Sequence, residues 1–129
     1  MSIGVDLLRV SRFTRAVASE RARRRVFTAN ELARAGRYTG RRAEEWLAGR
    51  FCAKEAVAKA LRRGLGQGLL WQDIEIAQDE YGAPVVVLTG GARRIAEAAG
   101  IVGVEVTLTH QEDWAISFAM AVRRTGGTA

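Results

Sequence analysis

The sequence predicts an α+β domain: a small antiparallel sheet of about five strands packed on one long central helix, with shorter helices beside it. Three observations lead there. The 129 residues, 48% hydrophobic and 26% charged, suit one soluble core that buries roughly two thirds of the unfolded surface. Residues 41–63, rich in Ala, Leu, Glu, Lys and Arg and free of Pro, form the longest helical pattern. Beyond them, β-branched runs separated by turn residues replace the helical spacing.

Taken in order, Ile3 to Leu8 reads as a short buried strand, with Ile3, Val5 and Leu7 alternating with Gly4, Asp6 and Leu8. Ser11 is placed to cap an amphipathic helix carrying Phe13, Val17 and several arginines, and Thr28-Ala29-Asn30-Glu31 matches the capping box that opens a short second helix. Gly36 and Gly40 bracket a turn, and the long helix stops in the loop Gly64-Leu65-Gly66-Gln67-Gly68. Asp73 to Ala77 and Val85 to Leu88, joined through Tyr81-Gly82-Ala83-Pro84, predict a hairpin. A short helix over Gly90 to Ala99, closed by Gly100, precedes strands at Val104 to His110 and Ala115 to Val122, with a polar turn at Gln111-Glu112-Asp113. Residues 1–124 read as a single domain and 125–129 as a frayed tail.

No apolar run approaches the roughly 20 residues that span a bilayer, and the N-terminus lacks a basic leader followed by an apolar stretch, so a cytoplasmic protein without membrane contact is expected. Cys52 is the only cysteine, which excludes an intramolecular disulfide and a cysteine-based zinc cluster. Charge is unevenly placed: residues 1–63 hold 16 of the 20 lysines and arginines but 6 of the 14 acidic residues. Such a layout suits a polyanionic partner (nucleic acid, anionic lipid, a phosphorylated cofactor or an acidic protein) or simply a solvated basic face. The cluster Arg21 to Arg25 has no interleaved aromatic platform, which argues against nucleic acid.

Charged residues also fall where a core is expected. On the long helix Glu55, Lys59 and Arg62 lie within about 60° of one another, and Arg50 and Lys54 about 40° apart elsewhere on the circumference. The helix is apolar on most faces, so charges embedded there need partners or ligands, although Glu55 and Lys59 also suit an exposed i,i+4 pair. Asp6 interrupts an apolar strand and calls for a salt bridge, hydrogen bonds or a metal. If Asp6 and Glu55 converge, two hard oxygen donors suit magnesium, with Arg50, Lys54 and Lys59 as phosphate clamps. His110, the sole histidine, is either structural or a ligand. Neither Gly64-Leu65-Gly66-Gln67-Gly68 nor Thr89-Gly90-Gly91 has the Walker spacing or the dinucleotide fingerprint, no serine nucleophile elbow is present, and Cys52 reads as packing.

Five blocks in order resemble the holo-acyl carrier protein synthase family of 4'-phosphopantetheinyl transferases: Gly4 to Phe13, Phe27 to Leu32, Leu47 to Leu61, Trp71 to Ile76 followed by Gly82-Ala83-Pro84, and Val106 to His110. The resemblance covers nearly the whole chain. It implies that family's fold and transfer of phosphopantetheine from coenzyme A to a serine of an apo acyl carrier protein, with magnesium as cofactor and adenosine 3',5'-bisphosphate released. It implies Asp6 and Glu55 as metal ligands and, with Lys59, as catalytic residues. Arg50, Lys54, Lys59, Gly64, Thr109 and His110 would contact coenzyme A, and Arg9, Arg12 and Arg15 the acidic carrier. A homotrimer with sites at subunit interfaces is the implied assembly. The serine proton would go to a metal-bound water or to Glu55. The chain departs from the pattern at Leu61-Arg62-Arg63-Gly64, where the family continues Leu-Gly-Thr-Gly, and at Cys52 and Thr107, where alanine and serine are common. A nucleic-acid-binding module and a non-catalytic carrier binder are the rival readings.

Overall fold

A computed structural model describes residues 1–64 and 66–125. The chain runs β1 (Ser2–Arg9), α1 (Val10–Ala16), α2 (Glu20–Val26), α3 (Ala29–Ala35), α4 (Gly40–Ala60), a 3-10 turn (Trp71–Asp73), β2 (Ile74–Gln78), β3 (Pro84–Leu88), α5 (Gly90–Ala98), β4 (Ile101–Gln111) and β5 (Trp114–Arg123). The strands form two antiparallel sheets, β1-β5-β4 and the β2-β3 hairpin. In the larger sheet Asp6 pairs with Ser117 and Ser117 with Leu108, so these three side chains share one face.

That face lies under α4, and small residues let the two approach closely. Ala48, Cys52, Ala53, Ala56 and Ala60 of the helix are buried against Ala115, Ala119 and Ala121 of β5. At Gly4 a Cβ would come within 2.1 Å of the Ala56 carbonyl, so only glycine fits beneath the helix. Ser2 Oγ donates to the Ala60 carbonyl at 2.5 Å. The helix crosses the sheet obliquely: its C-terminal half lies over Gly4 in β1, whereas Gly49 lies over Leu108 and His110 in β4.

This packing reverses the expected burial of β1. Ile3, Val5 and Leu7 are 60%, 51% and 58% exposed, while Ser2 and Gly4 are buried. Alternation marks two faces of a strand but not which one meets the core, and here the small side chains face the helix. Trp114, Ile116, Phe118 and Val122 continue the exposed apolar face on β5.

Helix starts differ in part from expectation. The first basic helix is broken into α1 and α2, and Ser19 caps the second by accepting from Ala22 N–H at 3.1 Å. Ser11 lies inside α1 and is not its cap; the carboxylate that receives the free backbone donor there comes from Asp113. The capping box at Thr28 and Glu31 forms as expected. Arg62 falls beyond the end of α4 at φ +61°, so it does not share a helical face with Glu55 and Lys59. Of the expected tail, 126–129 lies outside the described residues.

Candidate active site

Asp6 emerges from β1 on the face that meets α4, and Glu55 and Lys59 reach it from the helix. Lys59 Nζ donates to Asp6 Oδ1 at 3.1 Å and to the Val5 carbonyl at 3.0 Å. Burial raises the Glu55 pKa above the usual carboxylate range; the Asp6 charge raises it further and Lys59 opposes both. Asp6 and Glu55 also border the same cleft, of about 590 Å³, together with Arg9, Arg12, Arg15, Phe13, Phe51 and Trp114. The walls are held by stacking: Phe13 lies 4.7 Å from Phe51, and the Arg9 guanidinium 4.7 Å from the Trp114 ring.

Two carboxylates beside a lysine, at the foot of a cleft bordered by arginines, suit a divalent cation together with phosphate. Among the described residues no group of three His, Cys, Asp or Glu is assembled. A pair of hard oxygen donors fits magnesium, which keeps its remaining positions for water and phosphate oxygens. Asp6 and Glu55 are the residues that would hold it.

The other expected ligands fall elsewhere. Lys54 is fully buried and does not face the cleft, which corrects its reading as a phosphate clamp. Its Nζ donates to Glu31 Oε1 at 2.7 Å, to the Trp71 carbonyl at 3.1 Å and to the Ile74 carbonyl, so all three ammonium protons are used. Glu31, already in its capping box, also accepts from Ile76 N–H at 2.7 Å. One carboxylate thus caps α3, pairs with α4 and anchors β2.

Arg50 is 6% exposed, its guanidinium 4.4 Å from the centre of the Trp46 ring, and its Nε has no hydrogen-bond partner. Burial lowers its pKa, with Glu31 acting in the opposite direction. His110 is on the same side of the molecule as this end of α4, with its ring against Gly49. Two strands and two residues separate it from Asp6, roughly 12 Å by strand geometry, so one chain does not bring them together. Thr109 lies on the opposite, outward face of β4, paired with Ile116. Gly64 follows the end of α4 and donates its N–H to Gln67 Oε1 at 2.7 Å.

Several residues of this region escape sequence reading. Trp114 and Phe51 resemble ordinary core residues in the sequence, and nothing local marks them as cleft walls. The turn residue Asp113 is joined to Ser11, more than a hundred positions away, so only the fold reveals the contact. Lys54 was recognisable as a buried charge, but its partner Glu31 was visible only as a capping residue.

Known proteins share this fold and sequence. The family model described as the 4'-phosphopantetheinyl transferase superfamily matches residues 2–119. A holo-[acyl-carrier-protein] synthase of Desulforudis audaxviator is 46% identical over 95% of this chain and 92% of its own length. The crystal structure of the holo-[acyl-carrier-protein] synthase of Neisseria meningitidis is similar with a TM-score of 0.85 and 27% identity, covering 95% of this chain and 98% of that one. The Bacillus anthracis enzyme of the same name, solved in complex with CoA (3',5'-ADP), gives a TM-score of 0.80 at 27% identity, over 95% of this chain and 96% of its own.

Proposed function

Given that the chain belongs to the 4'-phosphopantetheinyl transferase superfamily, among the holo-acyl carrier protein synthases, we propose that it transfers 4'-phosphopantetheine from coenzyme A to a serine of an acidic apo acyl carrier protein. The observation that carries this reading is that Asp6 and Glu55 line one cleft with Arg9, Arg12 and Arg15, with Lys59 hydrogen-bonded to Asp6. The complex of a relative with CoA (3',5'-ADP) supports coenzyme A as the donor.

The serine oxygen attacks the phosphorus that bears pantetheine, the bond from that phosphorus to the bridging oxygen breaks, and adenosine 3',5'-bisphosphate leaves. Magnesium, when bound, neutralises charge on the pyrophosphate. Asp6 and Glu55 would hold it. Lys59, fixed by Asp6 and the Val5 carbonyl, presents positive charge where the leaving phosphate gains negative charge. Of the chain's own groups, Glu55 borders the cleft and is placed to receive the serine proton, directly or through a water. Arg9, Arg12 and Arg15 receive the acidic carrier on the cleft's rim.

The site is completed between subunits of a homotrimer. Two observations support this: the outward apolar face of β1 and β5 is uncovered in a single chain, and His110 and Thr109 stand away from Asp6. A neighbouring subunit would bring its His110, Thr109 and Arg50 to the coenzyme A phosphates. Gly64 borders the nucleotide from the end of α4. The enzyme works in the cytoplasm, without nucleic acid or membrane; no helix among the described residues is long and apolar enough to cross one.

Mixing the protein with an apo carrier, coenzyme A and magnesium should add one phosphopantetheine to the carrier by mass spectrometry. No adduct on any of several carriers would overturn the reading and favour a non-catalytic binder.

A further inference from the structure

Asp113 takes no part in the transfer as described, yet it ties three elements together. It ends the β4–β5 turn, reached through Glu112 at φ +55°. Its carboxylate accepts from Ser11 N–H at 3.0 Å, from Ser11 Oγ–H at 2.5 Å and from Arg41 Nη2 at 3.0 Å. Its carbonyl accepts from Val10 N–H at 2.7 Å, and Arg41 Nη2 also donates to the Glu112 carbonyl at 3.1 Å. Val10 and Ser11 open α1, and Arg41 opens α4.

The consequence lies in what α1 carries. This helix has seven residues and no capping bond from its own N-cap side chain, so it cannot hold its direction alone. Arg12 and Arg15 project from it into the carboxylate cleft. Trp114, next to Asp113, forms another wall and stacks on Arg9. The turn therefore anchors both the helix, alongside the Phe13–Phe51 stack, and the aromatic wall.

We propose that Asp113 is a positioning residue: with Ser11 and Arg41 as its two arms, it fixes the pitch of α1 over the cleft and thereby the docking of the acidic carrier. The inference rests on the function proposed above. Ser11 and Arg41 hold the Asp113 carboxyl below the usual range, so it remains anionic, and able to hold both arms, through the neutral range.

Steady-state kinetics, varying apo carrier and coenzyme A separately, test this. Asp113→Asn should raise KM for the carrier about fivefold, the worth of one helix cap, while kcat and KM for coenzyme A stay within about twofold. Ser11→Ala and Arg41→Gln should give smaller shifts of the same kind. Arg12→Glu should cost less in the Asp113→Asn background than in the wild type, because the misplaced helix has already weakened that contact. Equal shifts in both KM values, a fall in kcat alone, or full additivity with Arg12→Glu would overturn the inference while leaving the transferase reading intact. If Asp113→Asn melts below the assay temperature, Ser11→Ala, which keeps the carboxylate, decides by the same criteria. A wild-type protein that modifies no carrier overturns both.

Discussion

Lys54 and Glu55 are consecutive on α4, yet they sit in opposite surroundings. Lys54 is fully buried, and each ammonium proton meets an oxygen supplied by the fold. Glu55 faces a cleft, where burial first and then a second carboxylate raise the cost of its charge, and Lys59 offsets only part of that cost. A buried charge whose partners are all internal is a structural tie; a charge pair left incomplete at an opening is a place for a ligand. The helix thus carries its main structural ion pair and its candidate catalytic carboxylate on adjacent residues.

Substitutions on the two sides should separate by readout. The largest effect is expected from Asp6→Ala or Glu55→Ala, which should lower transfer by about 10⁴-fold or more, above ~5 kcal/mol, while leaving the fold in place. Phosphopantetheine incorporation and circular dichroism measured on the same samples check this; activity near wild type would remove these residues from the site. Lys54→Met should do the reverse. Leaving Glu31 buried without its cation should cost about 3–5 kcal/mol in urea unfolding, and Lys54→Met with Glu31→Leu should recover much of that. A Lys54 variant of normal stability that lost only coenzyme A affinity would return Lys54 to the phosphates.

Charge reversal at Arg12 and Arg15 should raise carrier KM by about tenfold, more at low salt, with little change in coenzyme A affinity. A selective loss of coenzyme A binding would move the carrier's place elsewhere.

The smallest expected effect concerns Cys52, which lies within α4 two residues before Lys54. Burial, and secondarily the Asp6 charge, push its thiol from an ordinary 9.0 up to about 12. Between those values the unfolded chain releases the thiol proton and the native protein retains it, so stability falls as pH rises. The loss should be about 1 kcal/mol between pH 9 and 10. Cys52→Ala should lack this slope in denaturant unfolding, and an identical slope in both proteins would mean that the thiol is not held protonated.

How much of this was legible in the sequence depended on whether the signal was local. The Thr28–Glu31 capping box, the break at Gly36 to Gly40, the long helix and the β2–β3 hairpin were readable because their causes lie within a few residues. Asp6 and Glu55 stood out because charge interrupts apolar patterns, and their residue types already suggested a hard cation. Ser11 has the residue type of a cap but lies inside α1, and its partner Asp113 comes from across the fold. A lysine on an apolar helix looks the same in the sequence whether it serves a phosphate or a buried glutamate, and only the fold joins Lys54 to Glu31.

By itself the sequence determined the elements, the uneven charge and the residue types able to hold metal and phosphate, because propensity, periodicity and charge act over short separations. Only the tertiary structure decided which side of β1 faces α4, which of two neighbouring charges is spent on folding, and which arginines share a cleft with the carboxylates. Those outcomes depend on small residues that let α4 settle on the sheet and on partners far apart in the chain, and a local pattern contains neither.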